Sequence, residues 1–232
     1  DLSRHLGAGD KAAAMDSQNR SMELGLLLTV PAAVGLLVAA EPIIRVLFER
    51  GAFTHRDTLA TAWALAAFAA GLPAFVLIKV LQPGFFARED TRTPMRFAAI
   101  NLVLNAGGSI ALFFAFKAAG LMPHVGIALA TSIAAWVNAA MLWGTLRLRG
   151  DFVIDPRLAR NLPLISVASA LMGIGVFAAA TVLDPMLLPQ SGPVVQAAAL
   201  TGVVAIGAVL FAGVIIGTGV MNTAQLRRKL KR

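Results

Sequence analysis

Apolar residues along the chain form six long runs, and charged residues or Pro and Gly separate one run from the next. A bilayer core of roughly 30 Å takes about 20 residues of helix, which is close to the length of each run. The runs therefore predict an all-α fold, a polytopic transmembrane helix bundle of six spans. These spans, A to F, cover residues 22–40, 59–82, 97–116, 125–146, 162–183 and 197–221.

Spans A and B carry local signals for a helix start and for bends. Thr54 and Asp57 precede span B, where a threonine hydroxyl can accept from a free backbone N–H and an aspartate favours the positive end of the helix dipole. Pro31 and Pro73 fall inside spans A and B, and each removes one backbone hydrogen bond that neighbours must replace in lipid. These prolines predict either kinks packed within the bundle or tolerated bends with no further role.

The composition excludes a water-soluble enzyme. Apolar residues make up 58% of the 232 residues and charged residues only 14%, which lies well outside soluble composition. The net charge of +8 does not indicate a nucleic-acid partner, because the basic residues lie between apolar runs and not on a folded polar surface. The chain has no cysteine, so disulfides, Cys-ligated zinc and a thiol nucleophile are excluded.

Basic residues are distributed unevenly between the two sides of the predicted bundle. With six spans, both ends lie in one compartment; fifteen of the 20 Lys and Arg residues fall on that side, four on the other, and Lys79 within span B. This asymmetry predicts that both termini are cytoplasmic. The chain opens on Asp1 with a polar stretch that lacks the apolar centre of a signal peptide, which predicts a piece cut from a longer protein.

Spans C and D each carry a narrow polar stripe. Asn101 and Asn105 recur at helical spacing in span C, and Thr131 and Asn138 do so in span D. Two such stripes can hydrogen-bond to each other across a helix interface, at roughly 0.6 to 2 kcal/mol per bond. Alternatively, the same residues line a polar cavity or an ion site. Both interpretations remain open from the sequence.

Lys79 is the ionisable side chain that lies deep within a span, and Gln82 falls on its face of the helix. An intramembrane cation either contacts an anionic ligand or extends to the cytoplasmic interface. Arg88 lies nine residues further on, about 13 Å along a helix at 1.5 Å per residue, so the second interpretation is equally open.

The sequence lacks the common motifs of catalysis and metal binding. HExxH, GxSxG, a phosphate-cradling glycine loop and an intramembrane carboxylate pair are all absent, so we expect no catalytic residue and no metal site. Residues 170–180 and 202–217 of spans E and F carry nothing more polar than Ala or Gly, which predicts contact with lipid tails. Gly213 and Gly217 match the small-xxx-small pattern of close helix approach.

A family resemblance begins at Glu41 and is specific through Pro94. The segments LFERGAF, GLPAFVLIKVL and FFAREDTRTP follow one another, and LATSIAAWVNA and LRLRG come after them in span D. In order and spacing, they closely resemble the MurJ (MviN) family of lipid II flippases, within the superfamily of multidrug, oligosaccharidyl-lipid and polysaccharide exporters. That family has fourteen transmembrane helices, and spans A to F resemble the ninth to the fourteenth, so the chain looks like a C-terminal fragment.

The resemblance implies part of a flippase that moves lipid II, the undecaprenyl-pyrophosphate-linked peptidoglycan precursor, across the bacterial inner membrane by alternating access. Lipid II, membrane lipids and an N-terminal lobe absent from this chain are the implied partners. The implied division of the chain is a cytoplasmic polar connecting segment, a four-helix part of the C-terminal transport lobe, a basic cytoplasmic loop, two lipid-groove helices and a basic cytoplasmic tail. These parts cover residues 1–21, 22–147, 148–161, 162–221 and 222–232.

The resemblance also assigns candidate site residues. Lys79 matches a lysine of the family's tenth helix, and with Gln82, Arg88 and Arg92 it forms the predicted substrate-binding set. Some members bind sodium through polar residues that match Asn101, Asn105 and Thr131, but the carboxylate expected near Asn105 is absent. We therefore expect no cofactor, with sodium or proton coupling as an open alternative. A related exporter of other lipid-linked oligosaccharides and a non-transporting membrane scaffold are the alternative functions.

Overall fold

The computed structural model describes residues 11–220, and this part of the chain is almost entirely helical. Six stretches of it are long and apolar enough to cross a membrane, so the predicted all-α bundle of six spans is confirmed. The first ten residues of the predicted connecting segment and the predicted tail, 222–232, lie outside the described residues. The helices are α1 (Lys11–Val38), α2 (Ala40–Phe48), α3 (His55–Ala69), α4 (Leu72–Phe86), α5 (Arg92–Ala118), α6 (Pro123–Leu148), α7 (Pro156–Val182), α8 (Asp184–Leu187) and α9 (Pro193–Gly217), with a 3₁₀ turn at Pro189–Ser191.

The predicted start of span B is confirmed. The Thr54 hydroxyl accepts from the backbone N–H of Asp57, and the Thr54 backbone N–H donates to the Asp57 carboxylate over 2.9 Å. This reciprocal pair is a capping box, which satisfies two backbone donors at the helix end. Asp155 caps α7 in a related way, because its carboxylate accepts from the Leu158 backbone N–H at 2.6 Å.

Two helix boundaries differ from the sequence prediction. Helix α1 already includes residues 11–21, which the sequence prediction placed before span A. Asn19 in this stretch is buried, and its Nδ2 donates over 2.9 Å to the Val153 carbonyl, so contacts with a distant part of the chain satisfy this polar stretch. Span B consists of two helices, α3 and α4, which meet two residues before Pro73. Helix α1, in contrast, runs without interruption through Pro31, which is buried.

The helices pack in a row, with α1, α4 and α6 at the centre. Their shared core includes Met22, Leu26, Leu81, Phe85 and Leu142. Helix α5 packs against the outside of α6, α7 packs against α1, and α9 packs against α7. The α4–α5 and α6–α7 connections, residues 87–91 and 149–155, lie at what we call the basic end of the bundle, and α2 lies at the opposite end.

Side-chain contacts give the direction of two helix pairs. Thr131 contacts Asn105 in the span, and Arg149 contacts Asp90 at the basic end, so α5 and α6 are antiparallel. In contrast, α1 and α7 are parallel. At one end, Glu23 of α1 contacts Asn161 of α7, 138 residues further along the chain. At the other end, Arg45 of α2 contacts Asp184 of α8, 139 residues further along, and these two short helices directly follow α1 and α7. The near-equal separations mean that the two segments run in register.

Candidate functional site

The candidate substrate-binding residues Lys79 and Gln82 lie on a side of α4 that the described helices leave open. Lys79, Pro83 and Phe86 are exposed at steps of four and three residues, so they share one helix face, and Gln82 beside them is half-buried. The side chains of Lys79 and Gln82 form no hydrogen bond or ion pair with another residue between 11 and 220. This face of α4 therefore offers a cation and an amide that are free to bind a ligand.

Arg88, the third candidate, is committed to the α6–α7 connection. Its Nε lies 3.0 Å from the Asp151 carboxylate, and its Nη2 donates over 3.2 Å to the Asp151 carbonyl. Its Nη1 donates to the Gly84 carbonyl one turn back along the chain. Arg92, the fourth candidate, is exposed at the start of α5 and has no partner within the described part of the chain. Of the four predicted residues, Lys79, Gln82 and Arg92 therefore have free side chains, whereas the Arg88 side chain binds the α6–α7 connection.

A second ion pair joins the α4–α5 connection to the end of α6. Arg149 Nη1 lies 2.7 Å from the Asp90 carboxylate, which also accepts from the Thr93 hydroxyl at 2.7 Å. The Thr93 hydroxyl and then the Arg149 guanidinium hold the pKa of Asp90 below its ordinary value. Arg88 and Arg149 are thus each paired with an aspartate of this chain, so neither is free to bind a substrate.

The polar stripes of α5 and α6 meet at one point within the span. The Thr131 hydroxyl is 3.1 Å from Asn105 Oδ1, and the Ser109 hydroxyl also donates to that oxygen at 3.2 Å. Asn101 and Asn138 are different, because the Oδ1 atom of each is buried without a hydrogen-bond partner among the described residues. The contact between Asn105 and Thr131 has the geometry of an interhelical hydrogen bond.

These polar residues do not fit a buried cation. All the oxygens that they offer are neutral, and neither α5 nor α6 contains an Asp or a Glu. A cation taken out of water into a low-dielectric span needs an opposite charge or many ordered oxygens to offset its desolvation. Within residues 11–220, no cluster of three or more His, Asp or Glu side chains supplies such a site elsewhere. What the stripe forms among the described residues is a hydrogen-bonded contact between α5 and α6.

An apolar groove lies between α1, α7 and α9, with a volume of about 320 Å³. Pro31 and Gly35 of α1, Met172 of α7, and Val203 and Phe211 of α9 are among the residues that line it. Its lining is almost wholly hydrocarbon, so it can accept an alkyl or polyprenyl chain but offers no partner to a charged group.

The sequence interpretation missed the polar contacts that hold α7. Glu23, Arg157 and Asn161 meet at the basic end, where Glu23 is 5% exposed and accepts from Asn161 Nδ2 at 2.7 Å. Arg45 and Asp184 pair at the opposite end over 2.7 Å. These residues stand at the predicted span boundaries, where charge is ordinarily solvated. The sequence does contain a signal for these contacts, because groups that can pair stand at matching ends of spans A and E.

Comparison with known proteins places the chain in a family. The family model described as "Lipid II flippase MurJ" matches residues 1–193. The chain belongs to the MurJ family of lipid II flippases. A relative from Rhizobium meliloti (strain 1021), "Probable lipid II flippase MurJ", is 41% identical over 235 residues, which cover 100% of this chain and 42% of the relative. A relative of the same description from Vibrio cholerae is 35% identical and covers 90% of this chain and 39% of its own length.

A solved structure supports the same membership. "Lipid II flippase MurJ, inward closed conformation" aligns with 100% of this chain and 42% of its own length, at a TM-score of 0.66 and 25% identity. The resemblance to the MurJ family that the sequence predicted is therefore confirmed, as is the fold. The chain spans about two fifths of the length of the MurJ relatives that it matches.

Proposed function

We propose that this chain forms part of a lipid II flippase, which moves the undecaprenyl-pyrophosphate-linked peptidoglycan precursor from the inner to the outer leaflet of the bacterial inner membrane. The observation that carries the proposal is the match to the MurJ family over residues 1–193, across a bundle with six membrane-capable stretches. Because the chain covers 42% of its Rhizobium meliloti relative, transport belongs to a protein of the relative's full length. The proposal is a transport function without a catalytic step or a cofactor.

The mechanism that we propose is alternating access. Helices α1 to α6, with α3 and α4 counted as one span, form most of one rocking lobe, and the contact between Asn105 and Thr131 supports its interior. Helices α7 and α9 guide the polyprenyl tail, since the groove that they form with α1 is apolar. The tail then stays in a hydrocarbon environment while the polar headgroup crosses elsewhere, which avoids the cost of placing a pyrophosphate in lipid.

Headgroup contact is assigned to the free cations. Lys79 with Gln82 on α4 and Arg92 at the basic end have exposed or half-buried side chains without internal partners, so each can pair with a pyrophosphate. Coulomb attraction between such groups is much larger in a partly desolvated cavity than in water. Arg88 instead orders the loop that carries Asp151. The basic end is assigned to the cytoplasm, because most Lys and Arg residues lie on that side.

The test uses a full-length graft, in which residues 1–232 replace the matching region of the Rhizobium meliloti relative. Purified graft in vesicles that contain lipid II should make lipid II accessible at the opposite leaflet, and an excess of another lipid-linked oligosaccharide should compete poorly. A graft that inserts normally but flips nothing, beside an active relative, would overturn the proposal. Preferential transport of the competitor would instead indicate an exporter of that lipid.

A matched pair of variants tests the headgroup assignment. Lys79→Ala should slow flipping by the graft, because it removes the free cation on the open face of α4. Lys117→Ala removes an exposed cation at the opposite end of the bundle and should leave the rate unchanged. Equal flipping rates for the two variants at equal protein level would remove Lys79 from the site.

A further inference from the structure

At the basic end, a buried carboxylate of α1 is held by the first turns of α7. Glu23 is 5% exposed, and its Oε1 accepts from Asn161 Nδ2 at 2.7 Å. Its Oε2 lies 3.1 Å from Nε of Arg157, which makes a charge-assisted contact. We call these three residues the basic-end clamp. A buried carboxylate without these partners would carry a large desolvation cost, so the contact resists separation of α1 from α7.

At the opposite end, a buried guanidinium joins the segments that continue α1 and α7. Arg45 lies in α2, its side chain is 10% exposed, and its Nη1 donates over 2.7 Å to the carboxylate of Asp184 in α8. Glu41, one turn earlier in α2, supplies a second carboxylate to the same guanidinium. We call Arg45 and Asp184 the opposite-end clamp. The two clamps fasten the α7 segment at both ends of the span.

Between the clamps, only apolar surfaces connect α1 with α7. Val34 and Val38 of α1 pack against Met172 and Gly173 of α7, and no side-chain hydrogen bond crosses between the described residues of this stretch. Apolar helices gain no hydrophobic stabilisation from each other in lipid, because lipid tails are as apolar as their side chains. The polar contacts at the two ends are therefore the specific interactions that fix where α7 sits on α1.

We propose that the two clamps hold α7 on α1 throughout transport, so that these helices move as one body and the apolar groove beside them keeps its width. Helix α9 follows because it packs on α7 and lines the same groove. Glu23, Arg157, Asn161, Arg45 and Asp184 are thus positioning residues for the lipid tail path. The inference rests on the proposed function for the existence of a transport cycle.

A disulfide across the apolar stretch tests whether α7 moves relative to α1. A Cβ atom on Gly173 would lie 2.7 Å from Val34 Cγ1, so Val34→Cys with Gly173→Cys places two thiols within bonding reach. The chain has no cysteine of its own, and the host part of the full-length graft would have its cysteines replaced. The oxidised double variant should form the disulfide and flip lipid II at the rate of its reduced form.

The outcomes that overturn the proposal are distinct. An oxidised variant that stops flipping and recovers on reduction would mean that α7 must move relative to α1. Failure of the two cysteines to link would mean that these helix faces are apart in the complete protein. Each single-cysteine variant, treated with the same oxidant, controls for damage that is unrelated to the link.

Clamp variants with matched controls test the residues themselves. Arg157→Ala and Arg45→Ala, combined in the graft, should reduce flipping, whereas Arg160→Ala with Arg56→Ala removes exposed cations near the same two ends and should not. If the clamps act by holding α7, the disulfide between positions 34 and 173 restores flipping to the double clamp variant. Unchanged flipping in that variant, or no recovery with the disulfide formed, contradicts the proposal.

A structural readout separates this inference from the proposed function. Spin labels on Leu28→Cys of α1 and Leu171→Cys of α7, both exposed positions, should give a narrow distance distribution in the unmodified graft. The distribution should broaden in the double clamp variant and remain narrow in the control variant. This result is independent of lipid II, so a graft that transports nothing overturns the proposed function, and an unchanged distribution overturns the clamps.

Discussion

Gly126 of α6 lies directly against the backbone of α5, and replacing it with alanine should wedge the two helices apart. A Cβ at this position would stand 2.7 Å from the Leu112 carbonyl oxygen and 2.8 Å from its carbonyl carbon. Helical backbone cannot rotate out of the way as a side chain can. To reach ordinary contact at 3.4 Å, the helices must therefore separate by 0.7 Å at this level.

The cost of this separation has two parts. Overpacking of a well-packed interface typically destabilises by about 1 to 3 kcal/mol. The hydrogen bond between Thr131 and Asn105, now 3.1 Å, lies further along the same interface and would lengthen to roughly 3.8 Å, which is beyond bonding distance. An interhelical bond of this kind is worth on average about 0.6 kcal/mol. Against these costs, alanine is favoured over glycine within a helix by up to about 1 kcal/mol, so we expect Gly126→Ala to lower the free energy of unfolding by about 1 to 3 kcal/mol.

Gly107→Ala provides the matched control. Gly107 lies in α5, and a Cβ there would meet nothing within 4 Å. Alanine is favoured over glycine within a helix by up to about 1 kcal/mol, so this variant should be neutral or slightly more stable. The measurement is the thermal unfolding midpoint of the purified full-length graft in detergent. If Gly126→Ala unfolds at or above the midpoint of Gly107→Ala, the close approach of α5 and α6 is wrong.

Three further outcomes are expected. Reporter tags inserted at Ala52 and Pro189 should be accessible from the periplasmic side of the inner membrane, and a cytoplasmic tag at either position would contradict the assigned orientation. Thr131→Val should lower the free energy of unfolding by about 0.6 kcal/mol, measured against the unmodified graft, and no change would mean that the bond to Asn105 adds no net stability. Because the pKa of Asp90 is lowered, its pair with Arg149 should persist at neutral pH and be lost as pH falls through that lowered value. The stability advantage of the graft over Asp90→Asn should therefore shrink only in acid, and an advantage that shrinks near neutral pH would contradict the lowered pKa.

The sequence predicted the spans well because hydrophobic length and flanking charge decide membrane insertion locally. The cap at Thr54 was equally local, since its partner Asp57 is three residues away. The helical character of residues 11–21 was missed because Gln18 and Asn19 look like loop residues by composition. They are buried by contacts with residues far along the chain, and no window of sequence contains those contacts.

Close helix contact was harder to predict than helix existence. The motif Gly213 to Gly217 matches the small-xxx-small pattern, yet a Cβ on either glycine would meet nothing within 4 Å. The glycines that do touch another helix include Gly71 and Gly126, each beside a backbone atom of its neighbour. Spacing within one helix cannot distinguish these cases, because whether a small residue is needed depends on the partner that the fold brings to it.

In the candidate site, too, the sequence predicted features that depend on neighbouring residues but not contacts between residues far apart in the chain. A free cation on an open face, Lys79, was visible in the sequence as a charge within an apolar run. The commitment of Arg88 to Asp151 was not, because the two are brought together by the fold of α4 and α6. An arginine near a membrane boundary therefore has to be tested for an internal acid before it is assigned to a substrate.

Complementary charges at both ends of two spans were a usable long-range signal. Arg45 follows Glu23 by 22 residues, and Asp184 follows Asn161 by 23, so each segment presents one polar group at either boundary. A parallel, in-register pairing satisfies both ends at once, because the carboxylate of one segment meets donors of the other at each boundary. An antiparallel pairing would bring Glu23 to Asp184 and leave Arg45 facing Asn161 and Arg157. Because α1 and α7 are the first and fifth of six membrane-capable stretches, the topology already makes them parallel, and the charge pairs at the two ends then favour their in-register position.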